Sequence, residues 1–543
     1  MDGMETKGNP ARWLCALALV WMLGVAPGWG AAVVRGEDAP AQPAAADGGR
    51  EEALRMKEQG DEFEAQDRHA EAIAAYRAAL KADPSLMPEV APSLGAALLW
   101  ADRTEEAAGV LAWAAARNPG DLETRKLLAL AYRWSDRLSD AERLYRENLR
   151  EDPADLDQRT GLAITLQWQQ REREAVPEFR RVLEIRPDDE EALLGLSRSL
   201  MEMDLPEEAR EPAARAVELD PKSTDATAQL AKVRERLARY VEGEVRGSYD
   251  TDQRTLWEFA LGAKGRAARG LDLGLAGKEL LFRQGSPGKQ QNIGELDSAN
   301  GTAAALAAAY RPGPSWAVRA SAGMAWYDVA GFNPWTGSAG GTYFLGDLWR
   351  FALDWERAPY DTILSLQNRV TVDTATATVT RVIPWKTEVS ASASYLVARN
   401  ENGTGQPRTN PGQRYELGLS RRLYMKDEVT RLTGLLRLGY LGYRYDLDVG
   451  MYDPRRQTWE EVGLDGRWGF RPRWEAFGTG MVGLQQEEGA GGSGTYSLEL
   501  GVDRLFGHGG RVTLGGFLAD SAAAGKGGGY RWCGGYLRVR VPF

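Results

Sequence analysis

Few side chains in this sequence are equipped to make or break bonds. It contains two histidines, His69 and His508, and two cysteines, Cys15 and Cys533. A Ser-His-Asp hydrolase needs a histidine held between a nucleophile and an acid. His508 stands in Phe506-Gly507-His508-Gly509-Gly510, which reads as a hairpin turn. A metal centre rich in His or Cys has too few ligands to draw on. The carboxylates Asp446 and Asp448 lie two apart, on one face of a strand. That spacing suits a polar wall as well as it suits acid–base work. No enzymatic activity and no cofactor are expected. The sequence also lacks the basic patch of a nucleic-acid binder.

Aromatic and cationic side chains form a more distinctive pattern. Trp100, Trp134 and Trp168 are spaced by 34 residues, and each is followed three positions later by an arginine: Arg103, Arg137 and Arg171. Each Trp falls at the end of a predicted helix and each Arg in the turn after it. On one reading the Trp packs helix on helix and the Arg caps helix carbonyls. On the other, the three indoles form a ladder along a groove and stack on sugar rings or on a partner's side chains. Both readings stand at this point.

The element that positions this column is a repeat. Pro84, Pro119, Pro153, Pro187 and Pro221 are spaced by 35, 34, 34 and 34 residues. A 34-residue period with a closing proline is the tetratricopeptide pattern. Twelve residues before each Pro stands Ala72, Ala107, Ala141, Ala175 or Ala209, and eight before it Tyr76, Leu111, Tyr145, Phe179 or Ala213. A small residue lets two helices approach, and the larger one fills the space beside it. Gly60, Gly95, Ala129, Ala163 and Ser197 form a further small column. Residues 51–221 are therefore expected to form five helix–turn–helix units, and 222–239 a capping helix with Leu230, Val233 and Leu237 inward.

The chain divides sharply near residue 240. Residues 1–240 carry 32 Lys and Arg against 45 Asp and Glu, while residues 241–543 carry 35 against 32. Glycine divides 14 to 48, and 36 of the Phe, Trp and Tyr residues fall in the last 303 positions. Before the repeats, Lys7 and Arg12 precede an apolar run, Trp13–Val25, and small residues at 28–32. This is the pattern of a secretory signal peptide over residues 1–32. An Ala/Pro/Gly-rich linker is expected at 33–50.

From residue 240 to 543 apolar and polar residues alternate with period two. Leu537, Val539, Val541 and Phe543 oppose Arg538 and Arg540. Phe351, Leu353 and Trp355 oppose Asp354 and Glu356; Val462, Leu464 and Trp468 oppose Glu461, Asp465 and Arg467. Leu498, Leu500 and Val502 oppose Glu499 and Asp503, and Tyr443, Tyr445, Leu447, Val449 and Met451 oppose Arg444, Asp446 and Asp448. Dense aromatics, a signal peptide and a terminal Phe543 favour a transmembrane barrel with its apolar face outward over a soluble sandwich. At ~20 residues per strand and turn, the segment predicts about 14–16 antiparallel strands. The charged residues just named are then lumen-facing. Their mixed sign fits either a salt-bridged wall or a polar slide for a hydrated polymer, and argues against a strong-anion pore. Phe543 is the candidate assembly signal.

The sequence thus predicts an all-α tetratricopeptide superhelix followed by an antiparallel transmembrane β-barrel. This architecture resembles a group of outer-membrane proteins of the exopolysaccharide export type. The group comprises poly-N-acetylglucosamine export porins (PgaA-like), cellulose synthase outer-membrane subunits (BcsC-like) and YaiO-type barrels. Trp134-Ser135-Asp136-Arg137 followed by Ala141 resembles the repeats of this group, and Tyr452-Asp453-Pro454 its turn before a late strand. The resemblance implies a bacterial outer-membrane location with periplasmic repeats. The implied partners are outer-membrane lipid, the β-barrel assembly machinery, a periplasmic protein bound by the repeats, and a polysaccharide passing through the barrel. An anchored scaffold for envelope assembly, with a non-conducting barrel, is the competing expectation.

Overall fold

The computed structural model describes residues 47–251, 253–284, 298–329, 331–360, 362–383, 387–402, 407–426, 429–447, 449–489, 491–507, 509–521 and 530–543. The expected signal peptide (1–32) and most of the expected linker lie outside them. The described chain forms two compact units: residues 47–203 with 212–226, and residues 204–211 with 227–543.

The helices run α1 Asp47–Glu64, α2 His69–Ala82, α3 Met87–Trp100, α4 Thr104–Arg117, α5 Leu122–Trp134, α6 Leu138–Glu151, α7 Leu156–Trp168, α8 Glu172–Ile185, α9 Glu190–Glu202, α10 Pro206–Leu219 and α11 Thr224–Leu237. The first begins at Asp47, so the end of the expected linker is already helical. The small column makes the close approach between helices. Ala72, Ala107, Ala141, Ala175 and Ala209 are completely buried, and Tyr76, Leu111, Tyr145 and Phe179 are buried beside them. Gly60 and Gly95 abut Tyr76 and Leu111 so closely that a Cβ would displace those side chains. Gly161 and Gly195 do the same for Tyr145 and Phe179 of the preceding repeat, a second glycine use that the column pattern does not reveal.

The turns inside the repeats are alike for a local reason. After α3, Asp102 adopts a left-handed φ of 61°. Its N–H donates to the Leu99 carbonyl at 3.2 Å, and the Arg103 N–H donates to Leu98 at 2.9 Å. This is the two-bond close of a Schellman motif. Asp67, Asp136, Gln170 and Asp204 are left-handed at the equivalent positions.

Sixteen strands follow: β1 Tyr240–Asp250, β2 Arg254–Ala268, β3 Leu271–Gln284, β4 Ser298–Gly313, β5 Trp316–Tyr327, β6 Trp335–Leu345, β7 Trp349–Pro359, β8 Thr371–Ile383, β9 Thr387–Arg399, β10 Thr409–Met425, β11 Arg431–Tyr443, β12 Gln457–Arg471, β13 Trp474–Glu487, β14 Gly491–Phe506, β15 Gly510–Ser521 and β16 Tyr530–Pro542. Each pairs antiparallel with its chain neighbours, and β1 pairs with β16 from Tyr240↔Pro542 to Asp250↔Trp532, closing the barrel. The count is the upper end of the expected range. At the end where β1 starts and β16 finishes (the near end), the turns at 269–270, 314–315 and 472–473 are short. At the far end the connections 328–334, 360–370 and 444–456 are longer, and the second holds a short helix, α12 Ile363–Gln367.

The barrel is inverted relative to a soluble protein. Leu261, Leu306, Leu353 and Leu514 on the outer face are 63–70% exposed. A ring of exposed aromatics lies near each end: Tyr310, Trp316, Phe351 and Trp468 at the near end, and Tyr249, Trp257, Trp326 and Trp335 at the far end. An apolar outer band between two aromatic girdles is the arrangement that lipid demands of a closed barrel.

Candidate functional site

The interior of the barrel is built from charged side chains on the other parity of the same strands. Arg540 pairs with Glu242 at 2.7 Å and Arg538 with Glu244 at 2.6 Å, across the β16–β1 seam. Asp503 is the most enclosed of the group. It receives Arg467 and Arg511 at 2.9 Å and the Thr513 hydroxyl at 2.6 Å. Arg467 also reaches Glu475 at 2.6 Å. Asp465 accepts from the Thr479 hydroxyl and Glu499 from Tyr536. Asp354 takes Arg319 at 2.6 Å across Gly340, where a Cβ would collide with the Asp354 carboxylate. Glu461 lies inward opposite Arg437 of β11, and Glu356 shares the inward parity of Asp354 on β7. A lattice of cross-strand pairs rigidifies the wall and leaves little net field.

One expected stretch of wall is not wall. Alternation predicts a strand over residues 443–451, but β11 ends at Tyr443, and Arg444 and Asp446 lie in the far-end connection. Asp448 lies outside the described residues, as does His508. The apolar half of that alternation has another use: Leu447, Val449 and Met451 are buried with Tyr443, Ala398 and Val370. A second cluster joins Val329 and Phe332 of the 328–334 loop and Ile363 and Leu366 of α12 to inward-facing Leu280, Phe282, Ala299, Ala325 and Tyr327. The far-end loops are therefore seated on apolar patches of the inner wall.

Their fastening is polar. Asn410, fully buried on β10, donates from Nδ2 to the Tyr445 carbonyl and to Asp453, both at 2.8 Å, and its Oδ1 accepts from the Tyr445 N–H at 3.0 Å. The Leu447 N–H donates to Asp453 at 3.1 Å. The Thr362 hydroxyl donates to the Gly450 carbonyl at 2.7 Å, and the Tyr452 N–H to the Tyr360 hydroxyl at 3.2 Å. Burial pushes the Asp453 carboxyl up to about 7, against the lowering effect of the Leu447 and Asn410 hydrogen bonds, with Asp446 adding to the rise.

In the helical array the tryptophan column is a surface feature. Trp100, Trp134 and Trp168 are 49%, 39% and 44% exposed. Trp100 and Trp134 meet edge to face at 5.7 Å. Trp168 lies 5.8 Å from the guanidinium of Arg133, a residue the column pattern misses because it is unique to its repeat. Arg133 is buried and is 3.8 Å from Glu191. The arginine column differs from its expected role. Arg103, Arg137 and Arg171 cap the preceding helix through their backbone N–H groups, not through their side chains. The side chains turn to the next helix and pair with the acid three residues on: Glu106, Asp140 and Glu174. Arg103 holds the Glu106 carboxyl below its ordinary range.

Family comparison agrees with this geometry. The "Tetratricopeptide repeat" family matches residues 169–233, and again residues 58–86. The helical part is a tetratricopeptide-repeat array. No curated protein sequence matches the chain. Among solved structures, one titled "Bacterial polysaccharide outer membrane secretin" is 12% identical, with a TM-score of 0.44 over 55% of this chain and 98% of that one. The tetratricopeptide part also aligns with YrrB, "a TPR protein with an unusual peptide-binding site". That match is 17% identical with a TM-score of 0.29, over 33% of this chain and 92% of that one. A thermophilic tetratricopeptide protein of Thermus thermophilus is 21% identical with a TM-score of 0.28, over 33% of this chain and 98% of that one.

Proposed function

We propose that this protein is an outer-membrane conduit for the export of an exopolysaccharide. Its tetratricopeptide repeats recruit the polymer, or the proteins that make or modify it, on the periplasmic side. It acts by passage and catalyses nothing. The observation that carries this reading is the closed 16-strand barrel with an apolar belt outside and a charged, ion-paired lining inside. Barrels of about 16 strands are wide enough for an aqueous channel. A lining of balanced ion pairs offers hydroxyl groups many hydrogen-bond partners of both kinds without trapping a charge.

The seating of the far-end loops on the inner wall favours a second reading. In it the barrel does not conduct and anchors the repeats as a scaffold for envelope assembly. Conductance of the full-length protein in a planar bilayer separates the two, compared with a variant in which residues 362–368 are replaced by a short Gly-Ser turn. A conduit closed by its loops gives small, rare openings that become large and steady in the variant. A barrel that remains silent after the loop is cut back, while still correctly folded, sinks the conduit and leaves the scaffold.

A further inference from the structure

Three inward-facing aromatic rings stand on the arc of wall from β12 to β15: Trp459, Phe477 and Phe517. Each is half-buried. Each faces a glycine on a neighbouring strand, Gly439, Gly501 and Gly534 respectively. At all three glycines a Cβ would run into the ring. The ring therefore leans on bare backbone, the device that rescues glycine in a sheet, and its other side is turned to the lumen. Phe477 is the fourth residue of β13 from the near end and Phe517 the eighth of β15, while Trp459 is the third of β12 from the far end. By strand register Phe517 is level with Thr479, two residues beyond Phe477, and Trp459 is level with Gln485, eight residues beyond it towards the far end.

Two further rings, Tyr327 over Gly301 and Tyr443 over Gly412, use the same device but are buried within the loop clusters. Trp459, Phe477 and Phe517 belong to neither cluster. Tyr536, over Gly515, is buried and its hydroxyl is committed to Glu499, so it offers no free face.

The polar setting narrows the ligand. An arginine guanidinium lies over part of each ring: Arg414 at 5.4 Å from the Trp459 ring centre, Arg467 at 5.4 Å from that of Phe477, and Arg246 at 5.5 Å from that of Phe517. Each of these arginines is held by an acid, Glu416, Glu475 and Glu244. An anionic polymer would have to break those pairs. An uncharged pyranose ring would not: its apolar C–H face can lie on an aromatic ring while its equatorial hydroxyls reach sideways to carboxylate and guanidinium.

We propose that Trp459, Phe477 and Phe517 form a stacking track for the uncharged pyranose units of the exported polymer. The proposal rests on the conduit reading and adds the site and the class of cargo. It is tested by calorimetric titration of the full-length protein in detergent with cellohexaose and with a hexamer of galacturonic acid. Cellohexaose should bind, and Phe477→Leu and Phe517→Leu should each weaken it about five- to tenfold. Phe517→Tyr should restore affinity, because it keeps the ring. Leucine keeps the apolar bulk over the glycine, so a shift on heated gels that matches wild type certifies the fold. Unchanged binding in the leucine variants, or no binding of cellohexaose at all, overturns the track. Tighter binding of the acidic hexamer overturns the uncharged class. Conductance of the loop-shortened variant tests the conduit separately: a conducting pore indifferent to the rings loses the track alone, and a silent one loses the conduit.

Discussion

Asp453 concentrates the far-end closure in one side chain. Tyr452-Asp453-Pro454 is visible in the sequence as a turn, but nothing local shows that its carboxylate is buried against Asn410, 43 residues earlier. Burial raises this carboxyl to about 7. A free aspartate titrates near ~3.9, so the seated loop holds the proton more tightly than the released loop. The stabilisation is complete below the released value and is lost as pH rises through about 7. Limited proteolysis of the 444–456 loop should therefore be slowest in acid, accelerate as pH rises towards about 7, by at most about tenfold per pH unit for one proton, and level off above it. Asp453→Asn should flatten the profile. A loop whose cutting rate is independent of pH in the wild type would show that Asp453 does not govern its seating.

At the scale of elements, glycine separates space from propensity. Gly195 on α9 sits against the Phe179 ring, with no room for a Cβ, whereas Gly109 on α4 has nothing near it. Both sit in helices, where Ala is favoured over Gly by ~1 kcal/mol. Gly109→Ala should gain most of that. Gly195→Ala should instead lose about 1–3 kcal/mol, because overpacking outweighs propensity. Thermal unfolding of the full chain, followed by helical circular dichroism, reads both, and equal shifts would mean that the α8–α9 contact yields freely. The repeat register is legible because every repeat buries the same columns. The 443–451 segment is not, because a period of two states only that alternate residues are apolar. It does not distinguish a strand facing lipid from a loop filling a barrel mouth. Trp459, Phe477 and Phe517 escape a sequence reading for a related reason: an aromatic on the polar parity gains meaning only when the glycine opposite it is known, and strand register sets that.

The whole barrel depends on one seam, since β1 meets β16 and the last strand of the chain is the one that removes both sheet edges. A barrel of about 14–16 strands and its inverted polarity follow from length and alternation, but which residues oppose one another across about 290 positions does not. Phe543 lies just beyond that seam. It is 74% exposed, and the last register pair is Tyr240↔Pro542. Its N–H donates to the Arg239 carbonyl at 2.9 Å, the one tie it makes to the neighbouring chain among the described residues. An exposed side chain with so little contact adds little to the folded barrel, on the order of 1 kcal/mol at most. If Phe543 is read by the assembly machinery, its deletion should cut the fraction of barrel reaching the outer membrane several-fold. The barrels that do arrive should keep the wild-type temperature of the heat-induced gel shift. A fall in that temperature with normal membrane delivery would assign Phe543 to the seam instead. Unchanged delivery and unchanged melting would leave it with neither role, and would move the assembly signal upstream into the alternating residues Leu537, Val539 and Val541.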